Sequence, residues 1–172
     1  MSGDQVEQVE QAELAQARAV AEAVPDPELP VLTLGELGIV RDVRRDGTGR
    51  IEVVITPTYS GCPALETIRA DLTAALAAQG HGDARISTVL APAWTTDWLT
   101  ETARDKLAAY GIAPPATRAS GPVPLTLVPH PVPCPQCGSP ATRRTSRFGP
   151  TACKELYTCA DCAEPFEHFR PV

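Results

Sequence analysis

The chain has 172 residues, a formal net charge of −6, six cysteines and 18 prolines. That length suits one ordinary domain or one domain with a small module, and the proline content favours the second. An acidic chain is poorly suited to tracking phosphate backbones, and no run approaches the roughly 20 apolar residues that cross a bilayer, so neither nucleic acid nor a membrane is an expected partner. The opening Met1-Ser2-Gly3-Asp4-Gln5-Val6-Glu7 lacks the basic and apolar regions of a secretory signal, which makes the cytoplasm the expected address. In that compartment six cysteines read as metal ligands or reactive thiols rather than as a disulfide framework.

Residues 4 to about 24 are rich in Ala, Glu and Gln, and Leu14, Ala17, Ala21 and Val24 recur at helical spacing. The pattern predicts a helix with a narrow apolar stripe. Pro25-Asp26-Pro27-Glu28-Leu29-Pro30 stops it and reads as a rigid corner carrying two carboxylates. After a turn-like stretch from Val31 to Gly38, the runs 39–43 and 51–56 flank Asp46-Gly47, a strong hairpin signal. The second run leads through Pro57-Thr58-Tyr59-Ser60-Gly61-Cys62-Pro63 into a helix expected to begin at Pro63, to bury Leu65, Ile68, Leu72 and Leu76, and to end near Gly80. A strand over 86–90 then completes a β-α-β crossover.

A further helix is expected over 97–110, capped from Thr95 or Thr96, closed by Gly111, and turning Leu99, Ala103, Leu107 and Tyr110 inward. Trp94 and Trp98 read as core or interface anchors rather than as a cofactor box. Eight prolines between Pro114 and Pro135 exclude helix and central strand and predict a semi-rigid, extended linker. The expected organisation is therefore an α+β domain over 1–112 with a small mixed three-stranded sheet packed with helices, a Pro-rich linker over 113–133, and a zinc ribbon over 134–172.

The ribbon is the firmest chemical reading. Cys134-Pro135-Gln136-Cys137 and Cys159-Ala160-Asp161-Cys162 are two Cys-x-x-Cys pairs joined by 21 residues, a spacing that lets four thiolates close one tetrahedral zinc site. Pro135 restricts the first knuckle, and Gly138 lets the backbone turn behind Cys137. Four thiolates fill the shell, so the site is closed and structural. Segments 141–147 and 152–158 are expected to pair across Phe148-Gly149-Pro150, with Leu156, Phe166 and Phe169 supplying a very small core. A module of about 40 residues usually needs such a metal to stay folded.

Cys62 is the second chemical feature. Placed after a glycine at or just before a helix N-terminus, its thiolate would be favoured by unpaired N–H groups and the helix dipole. It could bind a soft metal, receive a cluster or act as a redox nucleophile; a small residue packed beneath a turn is the plainer reading. Asp26 and Glu28 either cap and solvate their corner or fold back to add oxygen ligands to Cys62. Cys153 reads as packing, His168 as a surface histidine, and His81 and His130 have no partner nearby in sequence. Phosphate-loop, dinucleotide and Ser-His-Asp signatures are missing, so no self-sufficient enzyme is expected.

Specific strings carry a resemblance. Asp26-Pro27-Glu28, Leu34-Gly35-Glu36-Leu37-Gly38-Ile39-Val40 and the 56–63 segment resemble the small α/β family of SufT-like and cytosolic iron–sulfur assembly factors. With Pro92-Ala93-Trp94-Thr95-Thr96-Asp97-Trp98, Tyr110-Gly111-Ile112-Ala113-Pro114-Pro115 and the ribbon added, residues from about 20 to 172 resemble the PaaD (PaaJ-type) family, the D subunits of bacterial phenylacetyl-CoA epoxidase (ring 1,2-monooxygenase) systems. The resemblance implies a part in phenylacetate catabolism as an accessory maturation factor. Such a factor would help assemble or repair iron or iron–sulfur centres in the oxygenase and reductase subunits.

By matched position, Cys62, Asp26 and Glu28 become the candidate iron or cluster site, and Cys134, Cys137, Cys159 and Cys162 the zinc ligands. A transient cluster could bridge a homodimer. Competing readings are a structural or electron-transfer-associated subunit of the oxygenase complex, and a nucleic-acid-binding zinc-ribbon adaptor suggested by Arg143, Arg144 and Arg147. Thiol redox catalysis by Cys62 lacks a resolving cysteine.

Overall fold

A computed structural model describes residues 3–116 and 131–171, and its internal contacts gather into two units, Met1–Trp94 and Thr95–Val172. In the first unit the helical pattern yields α1 (Gly3–Ala23), whose Ala17 and Ala21 are fully buried. β1 (Val40–Arg45) and β2 (Ile51–Ile55) form the expected antiparallel hairpin. Its turn is held by Asp46, whose Oδ1 accepts from the Thr48 and Arg50 backbone amides at 2.8 and 3.1 Å. Val40 and Val43 are both buried although an odd spacing would put them on opposite faces. A bulge between Val40 and Asp42 resolves this by inserting one residue and turning the strand over.

α2 (Leu65–Ala78) buries Ile68, Leu72 and Leu76, and β3 (Arg85–Thr88) returns parallel to β2, giving a mixed sheet in the order β1-β2-β3. The helix starts two residues later than expected: Ala64, not a residue with a capping side chain, occupies the N-cap, and Pro63 lies in the turn before it. Between α1 and β1 the chain folds as a tight loop. Thr33 Oγ1 accepts from the Glu36 amide at 3.2 Å while Glu36 Oε2 accepts from the Thr33 amide at 3.0 Å, a reciprocal box of the kind that starts helices. Leu34 and Gly35 donate to the carbonyls of Val24 and Glu22 at 2.8 and 3.0 Å, pinning the loop to the end of α1. Trp94 anchors it from the other side, its buried Nε1 donating to the Leu37 carbonyl at 2.8 Å.

In the second unit the single helix expected over 97–110 is two pieces. A 3₁₀ turn (Thr96–Trp98) is capped by Thr95, Leu99 is extended, and Thr100 caps α3 (Glu101–Ala109) by accepting from the Ala103 amide at 3.0 Å. Two capping threonines five residues apart compete for one helix start, and both act. Leu99, Ala103 and Leu107 face inward as expected, but Tyr110 is 61% exposed because it forms the C-cap, where the chain leaves the helix through Gly111 at φ +87°.

The ribbon sheet has the order β4-β7-β6-β5: β4 (Ile112–Ala113), β5 (Thr142–Ser146), β6 (Lys154–Cys159) and β7 (Pro165–Phe169). The β5–β6 pairing is the expected hairpin. β4 pairs parallel with β7, and the contacts group α3 and β4 with the ribbon strands in the unit Thr95–Val172. Of the expected linker, residues 117–130 lie outside the described residues.

Gly35 has no room for a side chain: a Cβ there would lie 2.6 Å from Glu22 Cβ. Gly35→Ala is therefore expected to cost about 1–3 kcal/mol of stability in urea unfolding through overpacking, with bound zinc unchanged.

Candidate metal centre

The four ribbon sulfurs converge. Sγ of Cys134 lies 3.7 Å from that of Cys162, Sγ of Cys137 lies 3.6 Å from that of Cys159, and all four fall within 4.8 Å of one another. Four Zn–S bonds of about 2.3 Å directed to tetrahedron corners place sulfurs about 3.8 Å apart, so the cage fits one zinc ion. Cys134 and Cys159 are buried, and Cys137 and Cys162 are exposed.

Each pair sits on a knuckle of the same design. Cys134 N–H donates to the Ser139 carbonyl at 2.9 Å, and Cys159 N–H to the Glu164 carbonyl at 3.0 Å. Behind the second cysteine of each pair the backbone turns left-handed, at Gly138 with φ +73° and at Ala163 with φ 60°. The sequence announces the first turn by its glycine; an alanine in this conformation is unusual, and only the repeated Cys-x-x-Cys framework hints at it. Ser139 Oγ donates to Asp161 Oδ2 at 2.5 Å and ties one knuckle to the other.

Backbone amides point at the sulfurs, and the sulfurs crowd one another. The Cys162 amide, with the Asp161 amide and the neighbouring thiols behind it, outweighs the opposing effect of burial and holds Cys159 down to about 7. Cys162 accepts from the Glu164 amide, yet burial and three adjacent thiols push it up to about 12. Cys137 likewise accepts from the Ser139 amide but stands above the usual thiol range because of its neighbours. Cys159 thus gives up its proton readily while Cys137 and Cys162 hold theirs, until a divalent cation supplies the charge that lets the thiols ionise together.

Among the described residues this quartet is the one group of three or more Cys, His, Asp and Glu whose ligand atoms all meet; Cys62, Asp26 and Glu28 do not form a second. Cys62 is half-buried in the loop between β2 and α2, its N–H donating to the Tyr59 carbonyl and its carbonyl accepting from Leu65, both at 3.2 Å. Solvent reaches it, but it lies outside the first helical turn, where the dipole acts most strongly. Asp26 is buried, and its Oδ1 accepts from the Glu28 and Leu29 amides at 2.9 and 2.8 Å, which is the capping arrangement of the corner. Glu28 is half-buried. Cys153 stands apart from the quartet, 3.1 Å from Thr151 Oγ1.

His168 corrects the expectation of a surface histidine. It is 6% exposed because β4 covers it: Ala113 is its partner on one side and Glu155 on the other. Its Nδ1 lies 3.7 Å from Glu155 Oε2, too far for a hydrogen bond, and its ring meets Tyr157 edge-on at 5.4 Å. Burial lowers its pKa, and the Glu155 carboxylate only partly opposes that. A dipeptide strand as short as Ile112–Ala113 leaves no periodicity to read, so sequence could not foresee the cover.

Two family descriptions match the chain: an iron–sulfur cluster assembly protein over residues 14–88, and a PaaD zinc beta ribbon domain over residues 120–170. The D subunit of a putative 1,2-phenylacetyl-CoA epoxidase from Escherichia coli (strain K12) is 45% identical over 154 residues, covering 90% of each chain. Among solved structures, a domain of unknown function, DUF59, from Bacillus anthracis is 27% identical, covering 58% of this chain and 95% of its own, with a TM-score of 0.53. A Mycobacterium tuberculosis protein associated with Fe–S complex assembly and repair is 33% identical, covering 57% and 85%, with a TM-score of 0.33. The DUF59 likeness supports the α+β fold, and the ribbon description supports zinc as the cofactor of the quartet.

Cys159→Ser is expected to lose the bound zinc and the ribbon's amide hydrogen-exchange protection while residues 5–94 keep theirs; zinc analysis and exchange mass spectrometry read both. Acid should act through His168. Its folded pKa is depressed below the ordinary 6.5, so the unfolded chain binds the extra proton first, and stability present above that value is lost as pH falls below it. Melting temperatures between pH 7 and 5 should fall less steeply in His168→Phe than in the parent.

Proposed function

This chain belongs to the PaaD family, the D subunits of 1,2-phenylacetyl-CoA epoxidases, and from that premise we propose that it is an accessory maturation factor of that epoxidase system. It helps assemble or repair iron or iron–sulfur centres in the oxygenase and reductase subunits, in the cytoplasm, and is not the catalyst of ring epoxidation itself. The Escherichia coli relative supports the part in the epoxidase system, and the iron–sulfur assembly match over residues 14–88 supports the maturation role.

The observation that carries the reading is the contrast between two kinds of sulfur. Cys134, Cys137, Cys159 and Cys162 form a closed set that leaves no coordination position for exchange. Cys62 stands outside that set, half-buried in a loop between Gly61 and Pro63. Delivery needs a ligand that takes hold and lets go, because each transfer replaces one donor–metal bond with an acceptor–metal bond. A lone thiolate contributes one such bond; three more, as in the ribbon, would trap the cargo.

In this scheme Cys62 handles iron or a cluster as cargo. Its other ligands come from a second copy or from the acceptor subunit, since Asp26 and Glu28 do not complete a set of three with it and Asp26 already serves its own corner. The ribbon is a permanent zinc-held module that acts in docking or structure.

Cys62→Ser is expected to leave folding and one zinc per chain intact, while oxygenase and reductase subunits produced alongside it are recovered at least several-fold short of iron. Metal analysis of the co-produced subunits reads the outcome. Full iron loading with this variant would overturn the assignment of Cys62.

A further inference from the structure

One feature of the ribbon unit has no part in the metal chemistry. A cavity of about 650 Å³ opens beside the sheet, a size typical of small-molecule sites. Its lining includes Glu155 and His168, respectively 5% and 6% exposed, and the Tyr157 ring; Pro133, Val132 and Pro114 add apolar wall. Arg144, Arg147 and Arg170 also line it.

The charges do not balance. Glu155 is the one carboxylate in the lining, against three guanidinium groups. It takes Arg144 Nη1 on Oε1 at 3.2 Å and the Tyr157 hydroxyl on Oε2 at 3.4 Å. Among the described residues, neither Arg147 nor Arg170 has a carboxylate within salt-bridge distance. His168 Nδ1 is buried without a hydrogen-bond partner. A buried polar atom left in this state is costly, and the charge nearest to it is the Glu155 carboxylate at 3.7 Å.

We propose that this cavity binds a small organic anion: a carboxylate or phosphate on an apolar body about the size of one ring. The anionic group meets Arg147 and Arg170, while the body lies against Tyr157 and the proline wall. Geometry gives the reason for both halves. Guanidinium groups pair with carboxylate and phosphate oxygens in two-pronged fashion, and the prolines and aromatic ring have nothing to offer an ion alone. The proposal stands apart from the iron-handling role, since none of these residues belongs to the Cys62 loop.

The test uses the full zinc-loaded chain, with benzoate and phenyl phosphate as anionic ring probes, inorganic phosphate as charge alone and benzyl alcohol as ring alone. Amide NMR titrations should show saturable shifts at Tyr157 and His168 with the two ring anions, which compete for the site, and at least tenfold weaker response to the other two. Arg147→Ala combined with Arg170→Ala should weaken binding tenfold or more with zinc content unchanged. Either of two results would overturn the proposal: no saturable shift at 10-fold excess over about millimolar protein for either ring anion, or equal affinity in the double arginine variant. Loss of partner iron in Cys62→Ser would bear on neither outcome.

Discussion

Four sulfur atoms within 4.8 Å of one another are the constraint on which the second unit depends. The ribbon sheet has little else to hold it. Its apolar burial comes from Ile112, Ala113, Phe166, Phe169 and the two inner cysteines, while Lys154, Glu155 and His168 are buried alongside them. Burying a phenylalanine contributes about 1.5–3 kcal/mol, and an ionised side chain withdrawn from water costs several. A zinc ion in such a quartet contributes about 10–16 kcal/mol at neutral pH. A zinc ion held there would outweigh any single side chain in stabilising the sheet, and its contribution is large against the desolvation of the polar residues inside.

That arrangement has a consequence for the ions themselves. Lys154 Nζ lies 2.8 Å from Glu167 Oε2, on the opposite sheet face from the Glu155–His168 row, so the central strand β6 carries one buried charge contact on each side. Replacing either partner alone would strand its mate in a low-dielectric place, which is worse than having neither. The first unit needs no such device. Its core is a continuous set of Leu, Ile and Val from the α1–β1 loop, β2 and α2, and its ion pairs, such as Arg18 with Asp42 at 3.3 Å, are on the surface where they contribute little. A permanent metal in one unit and an unassisted core in the other place the accessible thiol, Cys62, outside both of the devices that keep the chain folded.

Local patterns were legible wherever one side-chain period ruled a long enough stretch. The stripe from Leu14 to Val24, the Asp46-Gly47 hairpin, the buried face of α2 and the cysteine quartet all follow from spacing alone. What escaped depends on pairing between distant residues or on competition between neighbours. The β4 pairing involves two residues, too few to show alternation, and it contributes to the burial of His168. Thr95 and Thr100 are both good caps, and nothing local says that each will start its own piece of helix. The box formed by Thr33 and Glu36 was readable as Thr-x-x-Glu, but the prolines just before it draw attention to a turn instead.

The arginines of β5 show how pairing changes the meaning of a charge cluster. Arg143, Arg144 and Arg147 look like one basic patch when written in a line. In the sheet, Arg143 is paired with Thr158 and Arg144 with Tyr157, and adjacent strand residues point to opposite faces. Arg144 thus shares its face with Glu155, Tyr157 and, two residues further along β6, Cys159, while Arg143 lies on the other. A phosphate backbone would meet only part of the group, and Arg144 is already paired with Glu155. The same pleat lines up the polar floor of the cavity with a zinc-binding cysteine along one strand. A ligand in that cavity would therefore rest on the strand that also carries Cys159 of the quartet.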